Sequence, residues 1–205
     1  DAREVTKYSP DSATDGALQL GVAESLLMPD WMGRALNEIR PPIPEDAIYY
    51  QPTAGRRDFL EAMAGYIEDT LQLNPKRIIP ENLVVGSGCN AVLENLCTVL
   101  ADSGDSVLVP TPYYAAFEFD LGARAGLSVV PVRTADFHGS NPSALDQYYP
   151  TPKALDAAYS KALEAGTPPR ILLISHPHNP LGICYPPEVV SACIEWCNKR
   201  RVHLI

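Results

Sequence analysis

Apolar and polar positions in the second half of the chain follow a pattern typical of a parallel α/β sheet. From Asn82 onward, short apolar runs alternate with stretches in which apolar residues recur at helical spacing. The pattern predicts strands at 83–85, 106–109, 127–132, 170–175 and 202–205, and helices at 90–100, 113–126, 152–166 and 186–201. Because such alternation forms βαβ units, we expect an α/β fold with a mostly parallel sheet.

The rest of the chain carries weaker patterns. Residues 134–151 are rich in Ser, Asn, Pro and Asp and predict a surface excursion, and residues 1–14 have no clear period. Asp58, Glu61 and Glu68 are expected to form a solvated helix face. Since the last apolar run stops in mid-element at Ile205, we expect the chain to be truncated.

Composition excludes several classes of protein. Lys and Arg number 16 against 25 Asp and Glu, so the formal charge of −9 makes nucleic acid an unsuitable partner. With 46% hydrophobic residues the chain can bury a sizeable core, yet no apolar run reaches the roughly 20 residues of a membrane span. The five cysteines lack paired metal spacing, which favours a reducing, cytoplasmic location.

The turn at 86–90, Gly-Ser-Gly-Cys-Asn, leads from the first predicted strand into a helix. Small residues at a helix N-terminus leave unpaired N–H groups open to an anion, so the turn can hold a phosphate. A third glycine and a P-loop lysine are both lacking, which argues against a dinucleotide or P-loop site. The alternative is a plain tight turn capped by Ser87 or Asn90.

Two further turns follow predicted strands, where open α/β folds bind ligands. Pro-Thr-Pro-Tyr-Tyr at 110–114 offers a ring for stacking, and Asn-Pro-Leu-Gly at 179–182 offers an amide that can donate to a phenolate oxygen. Taken singly, the tyrosines can be core residues and Asn-Pro a turn starter. His176 and His178 lack a carboxylate at matching spacing, which favours turn or structural roles over a metal site. Together, the phosphate turn, ring and amide predict one ligand, pyridoxal phosphate.

With these motifs the chain resembles fold-type I pyridoxal-phosphate enzymes of the aminotransferase class I/II group, most of all the 1-aminocyclopropane-1-carboxylate synthase-like branch. Two more segments carry the resemblance, Asp-Gly-Ala-Leu-Gln-Leu-Gly-Val-Ala-Glu at 15–24 and Tyr-Gln-Pro-Thr-Ala-Gly-Arg-Arg-Asp-Phe at 50–59. The resemblance implies a three-layer α/β/α large domain. Residues 1–48 would form an N-terminal arm with part of the small domain and the segment leading to the active site. Residues 49–205 would form the N-terminal part of the cofactor-binding large domain.

The resemblance also implies roles for single residues. Backbone N–H groups of Gly88, Cys89 and Asn90 would bind the cofactor phosphate, although the family often has Ala-Thr at the last two positions. Tyr114, rather than Tyr113, would stack on the pyridine ring. Asn179 would bond the phenolic oxygen, called O3′.

Substrate contacts are assigned by the same resemblance. Ala23, Glu24 and Gln51 would line the substrate pocket, and Tyr50 would reach the phosphate of a partner subunit, since such active sites lie at a homodimer interface. The catalytic residue itself is not assigned. The family's Schiff-base lysine, pyridine-binding aspartate, a tyrosine and a carboxylate-binding arginine are expected beyond Ile205.

Two chemistries on an amino acid stay open. The 15–24 segment favours elimination or replacement at the γ-carbon, as in synthases that act on S-adenosylmethionine. Those synthases usually have Asp-Tyr-His-Gly where this chain has Pro-Thr-Ala-Gly at 52–55, which favours transamination with a 2-oxo acid instead. A different class, a phosphate-ligand binding module without Schiff-base chemistry, is the third interpretation.

Overall fold

The computed structural model describes residues 5–18, 25, 27–39, 42–137 and 145–205. These residues divide into two units, Asp1–Pro52 and Thr53–Ile205, each described here by itself. The roles predicted for residues 1–48 and 49–205 remain predictions. Of the helices in the described ranges, none is a candidate membrane span, the longest having 14 residues.

The first unit holds one α-helix, α1, at Pro29–Glu38, and a short 3-10 helix at Glu45–Ile48. Pro29 occupies the first turn of α1, where its missing N–H leaves no hydrogen bond unmade. No residue of α1 is buried, and the helix was absent from the sequence prediction. Earlier in this unit, Lys7 pairs with Ala17 and Ser9 with Ala13 in isolated bridges.

The second unit is built on a four-stranded parallel sheet in the order β2-β1-β3-β4. Its strands are β1 at Ser106–Pro110, β2 at Ser128–Val132, β3 at Pro169–Leu172 and β4 at His203–Leu204. Its helices are α2 at Arg57–Thr70, α3 at Cys89–Leu100, α4 at Phe117–Gly122, α5 at Pro152–Glu164 and α6 at Pro187–Arg200. The predicted α/β fold with a parallel sheet is confirmed.

Side chains of the strands point alternately to the two faces of the sheet, and each face carries its own core. Leu108 and Leu172 pack with Leu155 of α5 and Trp196 of α6 on one face. On the other face, a second cluster joins the alternate strand positions to helices α3 and α4: Cys97, Val107, Val109, Leu121, Ile171 and Leu173. The result is the predicted three-layer α/β/α arrangement.

Local signals explain where the helices on the first face begin and end. The Thr151 hydroxyl accepts a hydrogen bond from the Ala154 N–H at 3.2 Å and caps α5, with Pro152 at its first position. Helix α6 begins at Pro187 and ends where Arg201 adopts a left-handed conformation with φ of 55°. Cys193 and Cys197 of α6 are buried, and burial raises the pKa of the Cys193 thiol to about 11. They are packing residues.

Three expectations from the sequence are wrong. Residues 83–85 form no strand: Val84 is 72% exposed, and the Val85 N–H bonds only to the Ala54 carbonyl at 3.0 Å. A strand needs a neighbour, and no described strand lies beside this run.

The second correction concerns Glu68, which was expected on a solvated helix face. Glu68 is 7% exposed, and its carboxylate accepts a hydrogen bond from the Ile78 N–H at 2.9 Å.

The third correction concerns the helix predicted at 113–126. Helix α4 covers only Phe117–Gly122, and Tyr113 and Tyr114 lie in the turn before it. Two short 3-10 helices, at Thr134–Phe137 and Asp146–Tyr148, lie within the predicted excursion at 134–151. Thr134 is fully buried there and donates to the Thr111 carbonyl at 3.2 Å.

Candidate cofactor site

Helix α3 presents its N-terminus toward the carboxyl edge of the sheet. Its C-terminus leads through residues 101–105 into the start of β1, so α3 runs back along the sheet. Asp105 marks the opposite, amino edge, where its carboxylate accepts hydrogen bonds from the Asp102 N–H and from Arg170 at the start of β3. The 86–90 turn therefore lies on the same edge as the segments that follow β1 and β3.

The 86–90 turn is open and uncapped. Gly88 is the N-cap of α3, has φ of 90° and ψ of 173°, and receives no side-chain capping hydrogen bond. Among the described residues no atom lies within 4 Å of the position that a Cβ on Gly88 would take. The alternative in which Ser87 or Asn90 caps the helix is thus not observed. The first-turn N–H groups of a helix lack intrahelical partners, so Cys89 and Asn90 present the donor set that a phosphate requires.

A second segment lies beside the approach to this turn. The hydrogen bond from Val85 to Ala54 brings residues 53–55 alongside the residues that lead into α3. A Cβ on Gly55, which has φ of 129°, would lie 2.8 Å from Cγ2 of Val85, so only glycine fits this approach. Ala54, one of the three residues at 52–54 that differ from the synthase pattern, therefore lies beside the segment that leads into the 86–90 turn.

The two tyrosines in the turn after β1 have different surroundings. The Tyr113 hydroxyl donates to the Glu118 carboxylate, and burial together with this bond raises the pKa of Tyr113 to about 12. The Tyr114 ring is 46% exposed and meets Phe117 edge-on, with ring centroids 5.5 Å apart. Tyr114 thus has an accessible ring, which suits the stacking role predicted for it.

The turn after β3 exposes Asn179 on a closely bonded loop. The His178 N–H donates to the Ile183 carbonyl and the Gly182 N–H donates to the His178 carbonyl, both at 2.7 Å. The Asn179 N–H bonds to Oγ of Ser175 at 3.3 Å. In the described part of the chain, the Asn179 side-chain amide has no hydrogen-bond partner, so it is free to bind a ligand.

His178 is buried in this loop, which the sequence did not indicate. It is 4% exposed, its Nδ1 accepts a hydrogen bond from the Leu181 N–H at 3.4 Å, and the Tyr185 ring meets the imidazole edge-on. Burial lowers the pKa of His178, which keeps the ring neutral. The only sequence signal is that His178 immediately precedes Asn179.

Within the described ranges no group of three or more His, Cys, Asp or Glu side chains could hold a metal ion. His176 instead accepts a hydrogen bond from the Tyr185 N–H at 3.2 Å and stacks on the Tyr185 ring. The residues on the carboxyl edge therefore supply amide donors for an anion, an aromatic face and a free carboxamide. This donor set fits pyridoxal phosphate.

The predicted substrate residues lie in the first unit. Tyr50 is fully exposed, and the Gln51 amide donates to the carbonyls of Asp46 at 2.6 Å and Tyr49 at 3.2 Å. Ala23 and Glu24 lie outside the described residues. The roles predicted for all four remain predictions.

Known proteins resemble the chain throughout its length. The family model for aminotransferase class I and II matches residues 29–205. The chain is 34% identical to 1-aminocyclopropane-1-carboxylate synthase 3 of Oryza sativa subsp. japonica, over 97% of this chain and 43% of that protein. It is 32% identical to 1-aminocyclopropane-1-carboxylate synthase 6 of Arabidopsis thaliana, over 100% of this chain and 41% of that protein. The chain thus spans less than half the length of these curated relatives.

A solved structure agrees with the sequence comparison. Aspartate aminotransferase from Thermus thermophilus with maleate superposes with a TM-score of 0.58 and 27% identity, covering 84% of this chain and 38% of that chain. By family model, relatives and fold together, the chain belongs to the aminotransferase class I and II family, whose enzymes depend on pyridoxal phosphate.

Proposed function

We propose that the whole protein is an enzyme that acts at the α-carbon of an amino acid, by elimination or replacement at the γ-carbon as in 1-aminocyclopropane-1-carboxylate synthases. The observation that carries the proposal is the carboxyl edge of the sheet, where an open helix N-terminus, an accessible ring and a free carboxamide occur together. The relatives named 1-aminocyclopropane-1-carboxylate synthase support the γ-carbon chemistry, with S-adenosylmethionine as the candidate substrate.

In this proposal the chain's own residues bind and orient the cofactor. The unpaired N–H groups of Cys89 and Asn90 bind the phosphate, aided by the positive end of the α3 dipole. The Gly88 N–H, which was predicted to join them, donates to the Gly86 carbonyl at 2.9 Å in the structure. The Tyr114 ring supports one face of the pyridine, and the Asn179 amide donates to the phenolic oxygen O3′. When bound, pyridoxal phosphate supplies an electron-accepting ring that stabilises negative charge at the substrate α-carbon.

Asn179 also sets the charge at O3′. A hydrogen bond donated to the charged oxygen favours its deprotonated form and lowers its pKa. The 86–90 turn and the Asn179 amide thus bind two different groups of one flat molecule, which sets the orientation of the cofactor.

The proposal also gives roles to residues outside the cofactor motifs. Gln51, Ala23 and Glu24 contact the substrate, and Tyr50 reaches the phosphate in the partner subunit of a homodimer. The full exposure of the Tyr50 ring supports a contact beyond its own unit. A lysine beyond Ile205 binds the cofactor covalently. The five free thiols support a cytoplasmic location.

Transamination is the second candidate. Two observations favour it: the likeness to an aspartate aminotransferase, and the position of Ala54, one of the residues at 52–54 that depart from the synthase pattern, beside Val85. In this candidate the same residues bind the cofactor, and the amino group of the substrate is transferred to a 2-oxo acid.

The test uses the full-length protein purified with pyridoxal phosphate. We expect a visible absorption band that borohydride reduction fixes on the protein, whereas a colourless protein that takes up no cofactor would contradict both candidates. S-adenosylmethionine is then supplied and methylthioadenosine measured, followed by amino and 2-oxo acids with measurement of the exchanged amine. Release of methylthioadenosine supports the first candidate, and amine exchange alone supports the second.

A further inference from the structure

Thr134 is a fully buried polar residue that takes no part in the proposed cofactor contacts. It lies two residues after β2, where the chain leaves the sheet and begins a 3-10 helix. Its hydroxyl donates to the carbonyl of Thr111 at 3.2 Å. Thr111 comes immediately after β1 and three residues before Tyr114. A side chain from the end of one strand is therefore bonded to the turn that carries the predicted stacking ring.

Thr111 is bonded to the end of β2 at three of its atoms. Its N–H and its hydroxyl both donate to the Val132 carbonyl, at 3.0 Å and 3.1 Å. The N–H bond continues the parallel ladder one step beyond its last residue pair, Pro110 with Val132. In a parallel ladder the next donor is the backbone N–H of residue 134, and here the Thr134 hydroxyl donates to the carbonyl that this N–H would reach. The side chain thus extends the pairing of β1 and β2 into the tyrosine turn.

The residues that follow Thr111 make contacts of another kind. Pro112 has no N–H and so donates no ladder bond. Tyr113 packs on the core between the sheet and helices α3 and α4. The Tyr114 carbonyl accepts a hydrogen bond from the Phe117 N–H at 3.1 Å, within the turn itself. These contacts shape the turn, whereas the hydrogen bonds of Thr111 attach it to the end of β2.

Removal of the Thr134 hydroxyl would take this donor away from the Thr111 carbonyl. A buried acceptor left unpaired costs more free energy than the hydrogen bond contributes when it is made, so the turn would move to regain a partner. Two residues separate Thr111 from Tyr114, and a movement of the Thr111 peptide is therefore passed on to the ring. The position of the Tyr114 ring depends on a hydroxyl that lies twenty residues further along the chain.

We propose that Thr134 is a positioning residue whose hydroxyl, through Thr111, holds the Tyr114 ring where it supports the pyridine of the cofactor. The inference rests on the proposed function for its consequence, since the ring acts only on bound pyridoxal phosphate. Thr134 acts through the backbone of the turn and not through a contact of its own with the cofactor.

Two substitutions separate the hydroxyl of Thr134 from its packing. Thr134→Val keeps the shape of the side chain and removes the donor, whereas Thr134→Ser keeps the donor and removes a methyl group. Thr167→Val is the matched control. The Thr167 hydroxyl donates to the Ala162 carbonyl at 3.3 Å, just before β3 begins on the amino edge of the sheet. The control therefore removes a similar bond far from the tyrosine turn.

The first readout is amide hydrogen exchange in the full-length protein without cofactor. It compares the Thr111 N–H, which bonds to Val132, with the Ser128 N–H, which bonds to the Asp105 carbonyl at the amino edge of the same strand pair. The ratio of the two exchange rates reports the turn, because a loss of overall stability would raise both rates together.

In Thr134→Val we expect this ratio to rise about fivefold, as the loss of one hydrogen bond predicts. In Thr134→Ser and in Thr167→Val the ratio should stay within about twofold of its value in the unaltered protein. An unchanged ratio in Thr134→Val would contradict the attachment of the turn through Thr134.

The second readout is a double-mutant cycle with the ring itself. Thr134→Val should weaken pyridoxal-phosphate binding about fivefold, and Thr134→Ser should bind within about twofold of the unaltered protein. When Tyr114→Leu is already present, Thr134→Val should weaken binding further by no more than about twofold, because the ring that it positions is gone. Additive losses in the cycle, or equal losses in the valine and serine variants, would overturn the positioning role while leaving the proposed function intact.

Two failures have separate meanings. A Thr134→Val variant that does not fold would show that the hydroxyl supports the whole unit, which also rejects the positioning role. Failure of the unaltered protein to bind pyridoxal phosphate would instead reject the proposed function. The exchange rates of Thr111 and Ser128 would then still decide whether Thr134 holds the tyrosine turn.

Discussion

Two turns on the same edge of the sheet are built in opposite ways. The 86–90 turn has few internal bonds: the Gly88 N–H donates to the Gly86 carbonyl at 2.9 Å, and no side chain caps α3. The loop from Ser175 to Tyr185 carries backbone hydrogen bonds, and the side chains of Ser175, His176 and His178 accept further hydrogen bonds from backbone N–H groups. The 86–90 turn leaves the N–H groups of Cys89 and Asn90 unpaired, whereas the loop pairs several of its N–H groups and leaves the Asn179 side-chain amide free.

The difference follows from what each turn offers a ligand. A phosphate is bound by backbone N–H groups, whose direction is set by the helix itself, so capping side chains would only compete with it. A carboxamide on a side chain has rotatable bonds, and a fixed main chain beneath it reduces the entropy lost on binding. An open turn and a tightly bonded loop are therefore two solutions to the same requirement of preorganisation.

The largest effect is expected where the open turn depends on glycine. Gly88 has φ of 90° and ψ of 173°, a region that is essentially restricted to glycine. Gly88→Ala should lower the free energy of unfolding by about 1–3 kcal/mol and weaken pyridoxal-phosphate binding, because the backbone must shift to relieve strain. Chemical denaturation and cofactor titration of the full-length protein measure both quantities.

Gly65→Ala is the matched control for that substitution. Gly65 lies within α2, and among the described residues nothing lies within 4 Å of its added Cβ. Alanine there should raise the free energy of unfolding by about 0.5–1 kcal/mol. Equal stability of the Gly88→Ala and Gly65→Ala variants would show that the open turn does not need its glycine conformation.

A smaller effect is expected from the tightly bonded loop. Asn179→Ala removes the free amide without breaking a hydrogen bond that the described chain makes, so stability should change little. The pH midpoint of the cofactor's visible band should rise, because the charged O3′ loses a donor, and binding should weaken about fivefold. An absorption titration measures the midpoint. Asn198→Ala, at an exposed position on α6, should leave it unchanged.

The smallest effect is expected in the pH dependence of the free energy of unfolding, to which His178 of the tightly bonded loop contributes. Burial lowers the pKa of His178 below its ordinary value near 6.5, so the unfolded chain takes up a proton more readily than the folded one. Its contribution to stability is thus present above about pH 6.5 and is lost as the pH falls toward the folded-state pKa. Denaturation at several pH values should show a steeper acid loss in the unaltered protein than in His178→Gln. Parallel curves would mean that His178 does not titrate differently on folding.

Sequence patterns located the elements whose signals are local. The start of α3, the proline and threonine that open α5, and the apolar runs of β1 to β3 are each determined by neighbours in the chain. Long-range contacts decided the rest. The sequence pattern places Glu68 on the solvated face of a helix. In the structure its carboxylate is buried and accepts a hydrogen bond from the Ile78 N–H, ten residues further along the chain.

The aromatic turn shows the same limit. Tyr113 and Tyr114 are indistinguishable by type, and the predicted helix would have placed both on α4. Only in the folded chain does the Tyr113 hydroxyl donate a hydrogen bond to Glu118, while the Tyr114 ring stays accessible. Residues 83–85 read as a strand because apolar runs favour extended structure, but pairing depends on a neighbour that a local pattern does not encode.

The amino-acid sequence alone determined the class of fold, the order of its elements from α3 onward and the three motifs that indicate pyridoxal phosphate, because periodicity and turn chemistry act over a few residues. The tertiary structure decided which groups are free: an uncapped helix, one of two tyrosine rings and one amide. It also buried His178 against the Tyr185 ring. Packing of that kind forms only when the chain folds back on itself, so no local pattern reveals it.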